Sequence, residues 1–167
     1  MSLKGRYMNI ILKKAGAAQR EILYRLLQYS LFEESLNDQN DMNEEALFEY
    51  PWFENYFTEK DREAFFIREA GSERLLGFVM INTFMQKSSS GHSIAEFMIL
   101  PKFRRKKIGK KAAVMCFEKY QGVWEVSPSY GSELAYLFWK SVIDDYTGTN
   151  NKYEDGIFSF CSQSGRH

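Results

Sequence analysis

A chain of 167 residues with 44% hydrophobic and 26% charged residues is long enough to bury one core, and is too apolar for a disordered or low-complexity protein. Its 22 Lys and Arg cancel its 22 Asp and Glu, which excludes a global field toward nucleic acid or an anionic membrane and leaves partner choice to local clusters. Cys116 and Cys161 show neither CxxC nor Cys/His spacing, so no metal site and no disulfide framework is expected. The apolar runs fall far short of the ~20 residues that span a bilayer, and these features together read as a cytoplasmic protein.

A first strand is predicted over residues 7–12, then a helix on which Ile22, Leu23, Leu26, Leu27 and Leu31 recur at helical spacing. A short second helix is predicted over residues 43–50, stopped by Pro51. Residues 64–68 and 75–83 read as strands joined through Gly71, and residues 92–100 as a fourth strand, which together make an antiparallel meander. Beyond Pro101, Ile108, Ala112, Met115 and Cys116 mark a third helix ended by Gly122. A fifth strand over 123–126, a fourth helix over 132–143 with Leu134, Ala135, Phe138 and Val142 inward, and a last strand over 156–161 complete the chain. A strand, a crossover helix and a strand around Gly109 imply one parallel pair within an otherwise antiparallel sheet. The fold class is therefore α/β (α+β), in a single domain over residues 1–167.

The most specific segment is Ile99-Leu100-Pro101-Lys102-Phe103-Arg104-Arg105-Lys106-Lys107-Ile108-Gly109-Lys110-Lys111, which places seven cations between Lys102 and Lys111 where a strand gives way to a helix. A helix start presents unpaired N–H groups and a partial positive charge of ~0.5 e, so phosphate is the natural ligand. Cations at that end oppose the helix dipole unless an anion relieves them. A solvated basic face is the bland alternative.

Phe103 followed by Arg104-Arg105-Lys106-Lys107-Ile108-Gly109 resembles the signature of the GNAT superfamily of acetyl-CoA-dependent N-acetyltransferases, in which Arg/Gln-x-x-Gly-x-Gly/Ala opens a helix. Arg104 takes the leading position, Lys107 stands where the first glycine belongs, and Gly109 takes the second. Ala135-Tyr136-Leu137-Phe138-Trp139-Lys140 resembles the family's Ala-x-x-Phe-Tyr-Lys helix, with Trp139 in place of the tyrosine.

The resemblance implies a mixed, mostly antiparallel sheet of six to seven strands flanked by four helices. It also implies acetyl-CoA as cosubstrate and direct acetyl transfer to a primary amine through a tetrahedral intermediate. The cosubstrate would be held by Met98, Ile99 and Leu100 of the fourth strand, by Arg104, Arg105, Lys106, Lys107, Ile108, Gly109 and Lys110, and by Phe138 and Trp139. The oxyanion would be met by a main-chain N–H near Met98, Ile99 or Leu100. Glu96 is the nearest carboxylate and is either the base or the partner of a neighbouring cation. Tyr136 or Tyr130 would stand in for the missing acid at Trp139, whose indole is no practical acid.

No Lys or Arg lies between Arg25 and Lys60, whereas Glu33, Glu34, Asp38, Asp41, Glu44, Glu45, Glu49, Glu54 and Glu59 do. With Trp52, Phe53 and Tyr56, this block reads as an acidic, aromatic-rimmed wall for a cationic amine, or as a solvated face. Exposed aromatics such as Trp52 or Phe57 are candidates for a homodimer interface or for the cleft. An alternative to the enzyme is a catalytically silent acyl-CoA-binding or regulatory module, motivated by Lys107 and Trp139. A nucleic-acid binder ranks last because the basic cluster is confined to one helix start.

Overall fold

The computed structural model describes residues 8–162. Its strands are β1 (Ile10–Lys14), β2 (Arg62–Glu69), β3 (Leu75–Asn82), β4 (His92–Ile99), β5 (Gly122–Val126), β6 (Lys152–Glu154) and β7 (Ile157–Ser162). Its helices are α1 (Arg20–Asp38), α2 (Ile108–Lys119) and α3 (Glu133–Thr147). The strands form one sheet in the order β1-β2-β3-β4-β5-β7-β6, and β4–β5 is its parallel pair. The predicted residue 7 of the first strand lies outside the described residues.

Both faces of the sheet centre are covered, which is why Ala64, Phe65, Phe66 and Ile67 are all buried in an unbroken apolar run rather than alternating with polar residues. On one face Leu23, Leu26 and Leu27 of α1 pack on Ala64, Phe66, Phe78, Met80 and Met98. On the other, Ala113, Cys116 and Phe117 of α2 and Trp139 and Val142 of α3 pack on Phe65, Val79, Ile94 and Trp124. Two predicted core residues are not core: Ile22 is exposed, and Leu134 is 80% exposed at the start of α3.

Three α-helices stand where four are expected, because residues 43–50 are not helical. Asn43 turns its side-chain oxygen onto the N–H groups of Glu45 and Leu47, at 2.9 and 3.1 Å, which gives the backbone a local alternative to a helix. Ala46 takes a left-handed φ of 60°, and the Gln28 side chain then clamps the Phe48 main chain through both its carbonyl and its N–H, at 2.9 and 2.8 Å. The last strand is preceded by a further one. Asp155 and Gly156, both at positive φ, form a two-residue hairpin turn that folds β6 onto β7.

Glu125 of β5 is buried, and its carboxylate accepts N–H bonds from Gln86, Lys87 and Ser88 at 2.7–3.2 Å. It thereby ties the β3–β4 loop to β5 at the end of the sheet where β4 and β5 are paired. His92 stacks on Tyr120 at 4.4 Å and 15°, and Tyr120 donates to Glu63 of β2. Burial holds the His92 imidazole below its ordinary range, against a smaller opposing pull from Glu63.

Glu125→Gln is expected to lower stability by ~2–3 kcal/mol in urea unfolding, since charge-assisted bonds to three amides weaken together. His92 predicts a pH effect of definite sign. Its unfolded form binds the proton more readily than the native form, so its contribution is present above about pH 6.5 and is lost as the pH falls below that value. His92→Phe should flatten the stability–pH curve between about pH 5 and 7.

Candidate cofactor and acceptor site

The site is built where β4 and β5 part. Their pairing runs from His92↔Trp124 to Ile94↔Val126 and stops there. A register shift in the β3–β4 ladder at Met80/Ile81 leaves Ala95 as a bulge. The bulge sets two consecutive residues on the α1 face. Ala95 packs on the α1 cluster and Glu96 reaches α1, whereas Ile94 and Phe97 belong to the α2–α3 side.

Main-chain direction along β4 follows from the ladder. The Leu100 N–H donates to the Leu76 carbonyl at 2.8 Å, and antiparallel strands turn alternate residues toward and away from the partner. With the register Gly77↔Ile99, Phe78↔Met98 and Val79↔Phe97, Met98 and Leu100 therefore bond to β3, while Phe97 and Ile99 face the gap beside β5. A Cβ on Gly77 would lie 2.1 Å from the Met98 carbonyl oxygen, which agrees with that direction. Hence the main-chain groups of Met98 and Leu100 do not face the cleft as expected, and those of Ile99 do. Phe97 was missed by sequence reasoning; alternation from Leu100 would have found it only with the β3 register in hand.

The basic segment wraps the start of α2. Lys107 is the residue before its first turn, at φ 62° and ψ 9°, and Arg105 also has a positive φ of 61°. Lys107 thus carries the left-handed backbone for which glycine is the ordinary choice. The Lys111 N–H returns to the Lys107 carbonyl, and the N–H groups of Ile108, Gly109 and Lys110 have no acceptor among the described residues. An anion in front of this helix would meet three free donors.

The cationic side chains divide. Arg104 is turned back: its Nε donates to the Ile99 carbonyl at 2.8 Å and its guanidinium pairs with Glu33 of α1 at 3.0 Å. Lys110 pairs with Asp145 of α3. Lys102 and Lys106 lie over the Phe103 ring at 5.5 and 6.0 Å. Within the segment from Lys102 to Lys110, only Arg105 and Lys107 are without a side-chain partner among the described residues. The expectation of a ring of cations around a phosphate is corrected to these two, with Arg104 as a strut between β4 and α1.

Gly109 also has a packing role. A Cβ there would come within 3.1 Å of the Phe138 ring and 3.4 Å of Ile99 Cγ1, so the missing side chain lets α3 press against the start of α2. Phe138 stacks on Phe97 at 5.8 Å, and the buried Trp139 meets Phe97 edge-on at 5.0 Å. Both therefore back the β4 side of the gap. Tyr136 lies elsewhere, against Tyr153 of β6 and Phe158 of β7, on the far side of β5 from the opening. Tyr130 is 81% exposed in the loop between β5 and α3, beside Gly131, whose position for a Cβ is 3.4 Å from Asn37 of α1.

Across the gap, the Glu34 carboxyl of α1 meets that of Glu96. Burial raises Glu96 well above the ordinary carboxylate range, Glu34 raises it further by charge and hydrogen bonding, and Tyr50 pulls it back in part. Glu34 is raised by burial and held in part by Glu96 and Ser129. The Ser129 hydroxyl donates to Glu34 at 3.4 Å. Glu96 therefore has no cation from a neighbouring strand; it faces another acid. Of the expected aromatic rim, Phe53 and Tyr56 are buried core and Trp52 alone is open, under the Arg62 guanidinium at 5.2 Å. A cavity of about 390 Å³ beyond the acid pair is lined by Asp38, Asp41, Met42, Phe48 and Glu49, among others.

A profile of the acetyltransferase (GNAT) family matches residues 27–125. The chain belongs to this family. No curated protein matches the sequence. Solved structures of the GNAT fold do resemble it. An acetyltransferase from Thermus thermophilus aligns at a TM-score of 0.64 and 11% identity over 93% of this chain and 98% of that one. The aminoglycoside antibiotic 6'-N-acetyltransferase of Acinetobacter baumannii aligns at 0.56 and 9% identity, over 80% and 89%. AtaTR bound with AcCoA aligns at 0.55 and 14% identity, over 93% and 95%. At these identities the likeness is one of fold. Among the described residues no helix is long and apolar enough to cross a membrane, and no cluster of three metal-ligating side chains occurs.

Replacing Lys107 with Gly is expected to raise stability by ~0.5–1 kcal/mol in urea unfolding, because the family's glycine relieves the left-handed residue before α2. An unchanged or lowered midpoint would show that the lysine bears no strain.

Proposed function

We propose that this GNAT-family chain is an acetyl-CoA-dependent N-acetyltransferase whose acceptor is a cationic primary amine. The observation that carries the reading is the gap in the sheet. It has the β4 main-chain edge at Phe97 and Ile99 on one wall, the free N–H groups of the α2 start below it, and the half-buried acid pair above it.

The residues present suit acetyl-CoA, which supplies the acetyl thioester. The N–H groups of Ile108, Gly109 and Lys110 would hold its diphosphate, with Arg105 and Lys107 adding charge from the rim. The open edge of β4 would pair with the amide-bearing arm, and the Phe97 N–H would meet the oxygen that gains charge as the amine adds to the acetyl carbon. Phe138 and Trp139 back this wall and exclude water from it. Glu96 accepts the proton that the amine must lose before it attacks. Tyr130, in the loop that also carries Ser129, would protonate the departing sulfur; Tyr136 is set against β6 and β7.

The reading as a silent acyl-CoA-binding module rested on Lys107 and Trp139. Lys107 keeps the main-chain conformation of the glycine it replaces, so no observation favours that module at the helix start. A protein of the cytoplasm with no nucleic-acid or membrane partner fits the reading, and a homodimer is no part of it.

Thermal unfolding with acetyl-CoA at about 100 times its Kd should show a gain of ~2.7 kcal/mol over the free protein. Arg105→Ala and Lys107→Ala should each weaken binding about tenfold, ~1.4 kcal/mol, and more at low salt than at high. Release of free thiol with a panel of alkylamines then reads turnover. No shift at millimolar acetyl-CoA would refute the cofactor assignment.

A further inference from the structure

We propose that Glu34 is a positioning residue for the acceptor: it shares one proton with Glu96, so that the pair presents a single negative charge to an aliphatic ammonium and keeps Glu96 able to take the ammonium proton. The proposal rests on the reading of the gap as the reaction site, and adds to it a residue of α1.

The geometry comes from three separate elements. Glu96 stands on the α1 face of β4, in step with Met98 and next to the bulged Ala95. Glu34 reaches it from α1, three residues beyond the half-buried Leu31 and one beyond Glu33, whose carboxylate is taken by Arg104. Ser129, from the loop after β5, donates to Glu34 and so fixes it over the point where β4 and β5 separate. The other groups that face the pair are Asp38 and Ser30 of α1 and Tyr50 of the loop, with Tyr56 behind Tyr50. Arg62 of β2 acts on Tyr56, and its own ion pair is with Glu59. Burial raises the Tyr50 hydroxyl, so it stays protonated and available to the Glu96 carboxylate. The ion pairs of Lys and Arg among the described residues all go to other carboxylates, and none reaches Glu34 or Glu96. Two carboxyls packed together without a cation cannot both ionise cheaply, and the missing counter-charge is the one that an alkylammonium brings.

Proton transfer then balances without any outside reactant. The ammonium N–H bond breaks, an O–H bond forms on Glu96, and the electron pair stays on nitrogen. The pair goes from one bound proton to two and from one negative charge to none, and the amine becomes neutral and nucleophilic. Were Glu34 absent, Glu96 would face no like charge and would titrate alone, nearer the ordinary carboxylate range.

The test is a pH titration of the protein carrying 13C-labelled glutamate side chains, free and with n-butylamine as probe, on the native chain and on Glu34→Gln and Glu96→Gln. The Glu34→Gln change keeps the side chain's shape and its contact with Ser129, and thermal melts of each variant check folding. The native chain should show two coupled carboxyl titrations, one of them well above the ordinary range, and n-butylammonium should perturb both. In Glu34→Gln the upper titration should fall toward the ordinary range and n-butylamine affinity should drop at least tenfold, with n-butanol failing to bind either protein. Unchanged probe affinity in Glu34→Gln, or a Glu96 titration that does not move, overturns the proposal, since a merely structural glutamate would alter neither. The acetyl-CoA thermal shift, measured on the same samples, separates the two readings. Its absence refutes the cofactor assignment, while the titration and the probe still decide the acid pair.

Discussion

The early end of the β4–β5 pairing is the constraint on which the site depends. A parallel pair that stops at Ile94 and Val126 leaves the rest of β4 with one bonded edge and one bare edge, and a bare edge inside a domain is costly unless something bonds to it. The bulge at Ala95 is part of the same arrangement, since it sets Ala95 beside Glu96 on the α1 side, while the main-chain edge of Phe97 and Ile99 faces the gap beside β5. Main-chain groups therefore meet the gap from the edge of β4, and a carboxylate meets α1 from its face.

The surrounding structure keeps the gap in place. Glu125 fastens the closed end of the β4–β5 pair by gathering three amides of the β3–β4 loop, and the stacked His92 sits at that same end. At the open end, Arg104 spans from the Ile99 carbonyl to Glu33, so the bare edge of β4 is braced against α1. Phe138, seated against Gly109, stops α3 from drifting away from the start of α2. The want of a side chain at Gly109 thus serves contact between helices.

Much of this was legible in the residues. The apolar runs, Pro101 and the glycine-marked basic segment located the meander, the crossover helix and the parallel pair, and the family signature lay on the segment that becomes the start of α2. Residues 43–50 depart from the predicted helix because Pro51 marks only where a helix would stop, while the Asn43 side chain competes for the amides that would start it. β6 was missed although Asp155-Gly156 is a strong hairpin signal, because three exposed residues carry no apolar pattern. The fate of individual cations was not legible at all. Whether Arg104 or Arg105 faces an anion depends on backbone angles and on Glu33, 71 positions away in the chain. Nor could sequence pair Glu34 with Glu96, since what brings them together is strand register.

The loop after α1 is attached to the domain at few points. Gln28 holds the Phe48 main chain, Asn43 ties its own turn, and Phe48 and Phe53 are its buried anchors, while most positions from Gln39 to Trp52 are exposed. Side chains there line the cavity beside Asp38 without supporting the sheet. Substitution at its exposed positions therefore costs folding little, so that wall can change residue by residue while β4 and α2 stay as they are.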